Sequence, residues 1–275
     1  QMLQQSADIY KLVYTAGSLA DNLTVYRLIE TARQRGIRYV IHAMGKEGQL
    51  SRIIGALQGN EFSYVSLNAS TQTAEGQLTL NAARNIFFLH EKSEKTRLIG
   101  LLGYPVEQSS GWQLHNRLLH RKKQESPQPF TDFIYVNFPA ADFEHFWESW
   151  EPRVSGLSIT LPHKTKIISR LDFPAKSVEV SGVCNTAIKR NGKWWGFNTD
   201  LMAIYEVLQP HKDLLQEGLL IYGAGATSRS AIAAMQELGV QNIFIACRDE
   251  AKGFRLAEDF RIEYLPESEW LQQQL

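Results

Sequence analysis

The sequence is short of several things, and each shortage narrows what the chain can be. It holds two cysteines, Cys184 and Cys247, in 275 residues. Two are too few for a disulfide scaffold and fit a reducing compartment, the cytoplasm or, for a plant protein, a plastid. Net charge is lacking, because 29 Lys and Arg cancel 29 Asp and Glu. No global field therefore draws the chain to nucleic acid or an anionic membrane. No run approaches the ~20 apolar residues of a membrane span. The opening QMLQQSADIYKL lacks the basic and apolar stretches of a secretory signal. Seven His and two Cys show no zinc-ligand spacing, and His115 and His120 are five apart, off one helical face. No metal is expected. A starting Met is missing and WLQQQL stops inside what reads as an unfinished helix, so a piece of a longer chain, cut at both ends, is expected.

What is present is ordinary globular material: 44% hydrophobic, 21% charged and 11% aromatic. That balance excludes disordered, collagen-like and coiled-coil classes. The length suggests about two domains, and repeats and low-complexity tracts are absent. Residues 1–95 alternate strand and helix patterns: IYKLVYT (9–15), a helix over 22–36 ending at a C-cap Gly, RYVIHAMG (38–45), a helix over 49–59, FSYVSLN (62–68) and a helix over 78–90. These are three βα units with parallel strands, too few to close a (β/α)₈ barrel. Polar EKSEKT (91–96) reads as a linker.

The alternation then resumes with strands at 97–103, 130–138 and 154–160 and helices around 111–123 and 140–150. Residues 183–198 read as a hairpin turning at Asn191-Gly192. A helix from Thr199 to about Leu208 leads to strand 218–223, helix 226–238, strand 242–248, helix 250–260 and a short strand near 262–265.

Three patterns carry chemistry. Gly223-Ala224-Gly225-Ala226-Thr227-Ser228 lies between a strand and an apolar-periodic helix, the context of a dinucleotide phosphate loop. Ser228 replaces the usual third Gly; the strand and helix on either side favour dinucleotide binding over a tight turn without ligand. The next strand ends in Cys247-Arg248-Asp249, with Lys252 close behind. Arg248 favours the 2′-phosphate of NADP, while the adjacent Asp249 would repel it. Second, GLSITLPHK delivers Lys164 and GFNTD delivers Asp200 to the carboxyl ends of strands, where open α/β sheets hold ligands. A Lys held by an Asp can protonate a nascent alkoxide; taken alone, they read as a solvated lysine and a helix-capping acid. Third, Lys11 lies in apolar IYKLVY. It is either exposed or an amine made reactive by burial and suited to a Schiff base.

Residues 97–275 resemble shikimate dehydrogenase through GYPVEQSSGWQLHN, GLSITLPHK, GVCNTAI with GFNTD, and GAGATSR followed by CRDEAK. The resemblance implies that Lys164 and Asp200 are the catalytic pair. Ser109, Thr160 and Asn185 would bind substrate hydroxyls and carboxylate. Gly223, Gly225, Ser228 and Arg229 would hold the phosphates of NADP, with Arg248 at the 2′-phosphate. Gly111 replaces a second serine and Trp112 a proline, which suggests tolerance of quinate. The family's later glycine-rich and glutamine-bearing segments are missing.

Residues 8–90 resemble the last three βα units of type I 3-dehydroquinate dehydratase through IYKLVYTA, MGKEGQLSRI and QTAEGQL. By that resemblance Lys11 is the Schiff-base lysine, Arg52 pairs with the substrate carboxylate, and Thr73 and Gln77 line a closing loop. Thr73 stands for serine and Glu75 for proline. The family's catalytic histidine would precede residue 1, and none of the chain's seven His, His42 included, is expected to replace it.

The expected architecture is thus α/β. The C-terminal part of a barrel (1–95) is followed by an α/β substrate-binding catalytic domain (96–208) and an incomplete Rossmann domain (209–275). Together the two resemblances imply a bifunctional shikimate-pathway enzyme acting on 3-dehydroquinate, 3-dehydroshikimate and shikimate, with neither nucleic-acid nor membrane partners. The competing readings are a non-catalytic shikimate or quinate sensor, and a quinate/shikimate dehydrogenase of relaxed specificity.

Overall fold

Aromatic and β-branched residues at 10–15 form strand β1, Tyr10–Thr15, in the computed structural model, which describes residues 6–126, 131–215, 217–266 and 269. The chain divides into two compact units, Gln1–Leu157 and Ser158–Leu275, each taken by itself below.

In the first unit β1 pairs in parallel with β2, Tyr39–Met44, in a register that sets Val13 opposite His42. Helix α1, Thr24–Gln34, buries Val25, Ile29 and Ala32. It is followed by Gly36 in the left-handed region at φ +63°, the C-terminal stop expected of Gly. Helix α2, Gln49–Leu57, follows β2.

Two expectations in this stretch are corrected. FSYVSLN is not a strand; its described pairing is a single bridge between Ser66 and Thr79. The edge of β2 is met instead by the Asn60 carboxamide, which accepts from Ile41 N–H at 2.9 Å and donates to Ile41 C=O at 3.0 Å. One side chain thus stands where a third strand would bond. The helix expected over 78–90 is also broken. A π-helical turn, Ala82–Ile86, gives way to Phe88 at φ +50° and a 3₁₀ turn, Leu89–Glu91. The break lets Phe87 stack on Trp112 and Phe88 on His120.

EKSEKT is no loose linker. Lys92, with its side chain 4% exposed, bonds Asp132 at 2.7 Å, and Thr96 Oγ1 donates to the same carboxylate at 2.9 Å. The segment is polar because it satisfies a partly buried acid.

Strands β3, Arg97–Gly103, and β4, Phe133–Pro139, pair in parallel, with α3, Gly111–Glu125, between them in sequence and α4, Phe143–Trp150, after. Leu102, Ile134, Phe138, Phe143, Phe146 and Trp150 are fully buried there. Asn116 of α3 repeats the carboxamide device, exchanging both bonds with Tyr135 at 2.8 and 2.9 Å. Strand β5, Val154–Ile159, carries the chain into the second unit.

The second unit opens with two short elements that no periodicity announced: β6, Phe173–Pro174, and α5, Lys176–Ser181. The hairpin of β7, Thr186–Arg190, and β8, Lys193–Phe197, turns at Asn191 (φ +50°) and Gly192 (φ +77°). Both sit in the left-handed region that a type I′ turn requires. β6 runs parallel to β8, so this sheet is mixed. After α6, Thr199–Leu208, and α7, Lys212–Leu215, strands β9 (Leu219–Tyr222), β10 (Ile243–Ala246) and β11 (Glu263–Tyr264) form a parallel sheet ordered β11-β10-β9. Helices α8, Ala226–Glu237, and α9, Glu250–Phe260, join its strands. Leu201 of α6 shares their core with Ile232, Met235, Ile245 and Phe260. The terminal helix expected at WLQQQL lies outside the described residues.

Candidate active sites

In the first unit, parallel register places Lys11, Val13 and His42 on one face of the β1–β2 pair. Lys11 is exposed, and its Nζ lies 4.1 Å from the centroid of the Tyr64 ring. His42, buried to 6% exposure, faces the same ring at 6.5 Å. Burial first, then the Arg52 and Lys11 charges, push the His42 imidazole down to about 4. Its neutral form is therefore the resting form.

Arg52 of α2 is buried at 5% exposure, and its Nε has no hydrogen-bond partner among the described residues. Burial lowers its affinity for the proton. A buried guanidinium without a carboxylate is costly unless an anion meets it, so Arg52 suits a carboxylate-bearing ligand.

Thr73 and Gln77 meet each other: the buried Gln77 Oε1 accepts from Thr73 N–H at 3.0 Å and from its hydroxyl at 3.3 Å. Their loop presses on the one after β2, because a Cβ on Gly76 (φ +77°) would strike the Gly45 carbonyl. His42, which was not expected to replace the family's histidine, and Tyr64, which lies where a strand was expected, are both brought to Lys11 by the fold.

Ser109 is half-buried just ahead of α3, its N–H donating to Val106 C=O at 3.1 Å. Gly111 N–H donates to Ser109 Oγ at 3.4 Å.

In the second unit, Lys164 Nζ donates to Asp200 Oδ2 at 2.6 Å, with the side chains 17% and 35% exposed. Local backbone bonds hold the pair. Lys164 C=O accepts from Cys184 N–H at 2.8 Å. Asn185 Oδ1 accepts from Thr199 N–H at 2.9 Å, joining the start of β7 to the first turn of α6, where Asp200 sits. Asn198 caps that helix by accepting from Leu201 N–H at 3.2 Å. Thr160 follows β5 directly, and Ile159 N–H bonds Asn185 C=O at 2.7 Å. Lys164, Asp200, Asn185 and Thr160 are thus drawn to one locality.

The glycine turn fits a dinucleotide. Gly223 adopts φ +118°, and a Cβ on Gly225 would meet open space. Gly225 caps α8 without a side-chain bond, which leaves the amides at Ala226, Thr227 and Ser228 for phosphate oxygens, with Ala224 completing the turn. Arg229, expected at the phosphates, is committed elsewhere: its guanidinium bonds Asp259 at 2.8 Å and Ser181 C=O at 3.0 Å and lies over Phe260. Arg248 is exposed at the end of β10. Asp249, expected to repel a phosphate, instead caps α9 and pairs with Lys252 at 2.8 Å. Among the described residues no group of three or more His, Cys, Asp or Glu could hold a metal, and no helix is long and apolar enough to cross a membrane.

Residues 1–94 match the family model of type I 3-dehydroquinase, and residues 101–187 match that of the shikimate dehydrogenase substrate binding domain. The shikimate biosynthesis protein AroDE of Chlamydia muridarum is 31% identical over 273 residues, covering 94% of this chain and 54% of that protein. The chloroplastic bifunctional 3-dehydroquinate dehydratase/shikimate dehydrogenase of Arabidopsis thaliana is 26% identical, covering 93% and 43%. The crystal structure of shikimate dehydrogenase from Aquifex aeolicus superposes with a TM-score of 0.53 at 26% identity, covering 66% of each chain. This chain therefore spans about half the length of these two relatives.

Proposed function

Because residues 1–94 match the type I 3-dehydroquinase model and residues 101–187 that of the shikimate dehydrogenase substrate binding domain, we propose that this chain is part of a bifunctional shikimate-pathway enzyme. It contributes to the dehydration of 3-dehydroquinate and to the NADPH-dependent reduction of 3-dehydroshikimate. The observation that carries the reductive half is the 2.6 Å contact between Lys164 and Asp200 beside Asn185.

Lys164 holds a proton as an ammonium, oriented by Asp200, and delivers it to the oxygen of the ketone being reduced. Ser109, Thr160 and Asn185 bind the hydroxyls and carboxylate of the substrate. The amides of 224–228 hold the pyrophosphate, and Arg248 with Lys252 reads the 2′-phosphate. A bound nicotinamide dinucleotide supplies the hydride.

For the dehydratase half, the Lys11 amine condenses with the substrate ketone and water leaves, forming an imine. The imine acidifies the neighbouring C–H, so that loss of that proton expels the β-hydroxyl as a second water. Hydrolysis of the imine then returns Lys11. Arg52 pairs with the carboxylate, and Thr73 and Gln77 shape the covering loop.

The test is NADP⁺ reduction by shikimate in the whole protein, native and Lys164→Ala. Shikimate-dependent NADPH formation that vanishes in the variant supports the reading. A folded native protein that is inert toward shikimate, or a fully active variant, refutes it.

A further inference from the structure

The loop that carries Ser109 is gripped on both sides by residues of the 3-dehydroquinase segment. Two residues before Ser109, Glu107 bonds Lys46 at 3.0 Å. Three residues after it, the Trp112 indole stacks on Phe87, with centroids 5.0 Å apart and planes 14° from parallel. Further along α3, Phe88 stacks on His120 at 3.7 Å.

The two grips are unequal. Lys46 and Glu107 are an exposed pair, 63% and 45%, and salt screens such pairs. Phe87 is buried at 6% exposure, so its stack with Trp112 is the anchor with weight. The ring beneath Trp112 comes from the segment that matches the 3-dehydroquinase model.

We propose that Trp112 is a positioning residue. Seated on Phe87, it fixes the first turn of α3 and the Ser109 hydroxyl ahead of it, so that the dehydratase segment sets the shikimate affinity of the dehydrogenase. This rests on the assignment of Ser109 to substrate binding in the proposed function. The hydroxyl can bind a substrate oxygen only within a few tenths of an ångström of its place, and freeing the helix start lets it wander. The effect falls on substrate binding, because Trp112 does not take part in proton transfer at Lys164.

The experiment measures NADP⁺ reduction by shikimate in the whole protein for native, Trp112→Leu, Trp112→Phe, Phe87→Leu and Lys46→Ala. Leucine keeps apolar bulk and removes the stack, so the variants remain foldable, as equal melting temperatures would verify. Trp112→Leu and Phe87→Leu are expected to raise KM for shikimate on the order of tenfold, with kcat held within about twofold. Their effects should fail to add in the double variant. Trp112→Phe should restore the native KM and Lys46→Ala should scarcely move it. An unchanged KM in folded Trp112→Leu overturns the proposal, as does a fall in kcat with KM constant or a Trp112→Phe variant that rescues nothing. A native protein inert toward shikimate refutes the functional reading itself, and this inference falls with it.

Discussion

Lys164 Nζ lies 2.6 Å from Asp200 Oδ2, a contact made by a turn after β5 and the first turn of α6. Neither side chain is deeply buried, so the pair is open to a ligand while its orientation is fixed by the bonds from Cys184 N–H to Lys164 C=O and from Thr199 N–H to the Asn185 side chain. Under the proposed function Lys164 gives a proton to the ketone oxygen on reduction and takes it back on shikimate oxidation, so Lys164→Ala should lower kcat for shikimate oxidation by about 10²–10⁴. Asp200→Asn keeps a hydrogen bond but loses the charge and should fall between native and Lys164→Ala. Steady-state kinetics on folded variants checks both; an Asp200→Asn enzyme slower than Lys164→Ala would invert the assigned roles.

Arg52 is held where an anion belongs and none of the described residues bonds its buried Nε. Filling that space with an apolar side chain removes an uncompensated charge. Arg52→Met should therefore stabilise the ligand-free protein by about 1–3 kcal/mol and, under the proposed function, abolish binding of the substrate carboxylate. Urea unfolding and a binding isotherm with 3-dehydroquinate read the two effects separately. A destabilised Arg52→Met would show that the guanidinium is paired in the native state.

Lys92 is nearly enclosed, and its partner Asp132 also meets Thr96 and Lys123. Burial pushes the Asp132 carboxyl up, but the bonds from Lys92 and Thr96 outweigh it and hold the carboxyl below its ordinary value. Asp132→Ala strands the Lys92 ammonium and should cost about 3 kcal/mol, within the range for breaking a buried pair. Lys92→Met with Asp132→Leu should recover much of the loss. Equilibrium unfolding of the single and double variants tests this.

His42 gives the pH dependence a direction. Its imidazole titrates near 4 in the folded chain and near 6.5 unfolded. Between those values the unfolded state binds more protons, so stability rises with pH. The contribution is fully present above about 6.5 and is lost as pH falls through 4, amounting to about 1–3 kcal/mol. The difference in unfolding free energy between native and His42→Gln, followed from pH 7.5 to 4, should shrink along that path. A difference independent of pH would place His42 in water.

Much of this was legible in the sequence wherever local rules decide the outcome. The Asn191-Gly192 turn needs two left-handed residues and has them, and α6 begins at Thr199 because Asn198 caps it. The strand expected at 62–68 failed for a non-local reason, since the Asn60 carboxamide serves the β2 edge from nineteen residues away. The helix over 78–90 broke because Phe87 and Phe88 find aromatic partners on α3, which no periodicity within 78–90 encodes. EKSEKT read as a linker since polarity alone does not reveal that Asp132 awaits it. Motif positions single out Lys164 and Asp200, and the fold brings their side chains to 2.6 Å. That His42 shares a face with Lys11 depends on the register between β1 and β2, which no local pattern encodes.

Cofactor choice turns on two neighbours with opposite charges. In the sequence Asp249 counts against a 2′-phosphate beside Arg248. In the fold its carboxylate accepts from Lys252 N–H at 3.1 Å and meets Lys252 Nζ at 2.8 Å. Those bonds, first from the Lys252 side chain and then from its backbone, hold the Asp249 carboxyl below its ordinary value. The acid is thus occupied as a helix cap, and Arg248 is left exposed at the strand end. NADP⁺ should be preferred over NAD⁺, and Arg248→Ser should raise KM for NADP⁺ by about 10–100-fold, as loss of a charge-assisted bond to phosphate does. KM for NAD⁺ should change little, since NAD⁺ lacks that phosphate. Asp249→Ala should not improve NADP⁺ binding, because the charge it removes is already balanced and the α9 cap goes with it. If Asp249→Ala tightens NADP⁺ instead, the carboxylate faces the ribose, and the cap is secondary to cofactor discrimination.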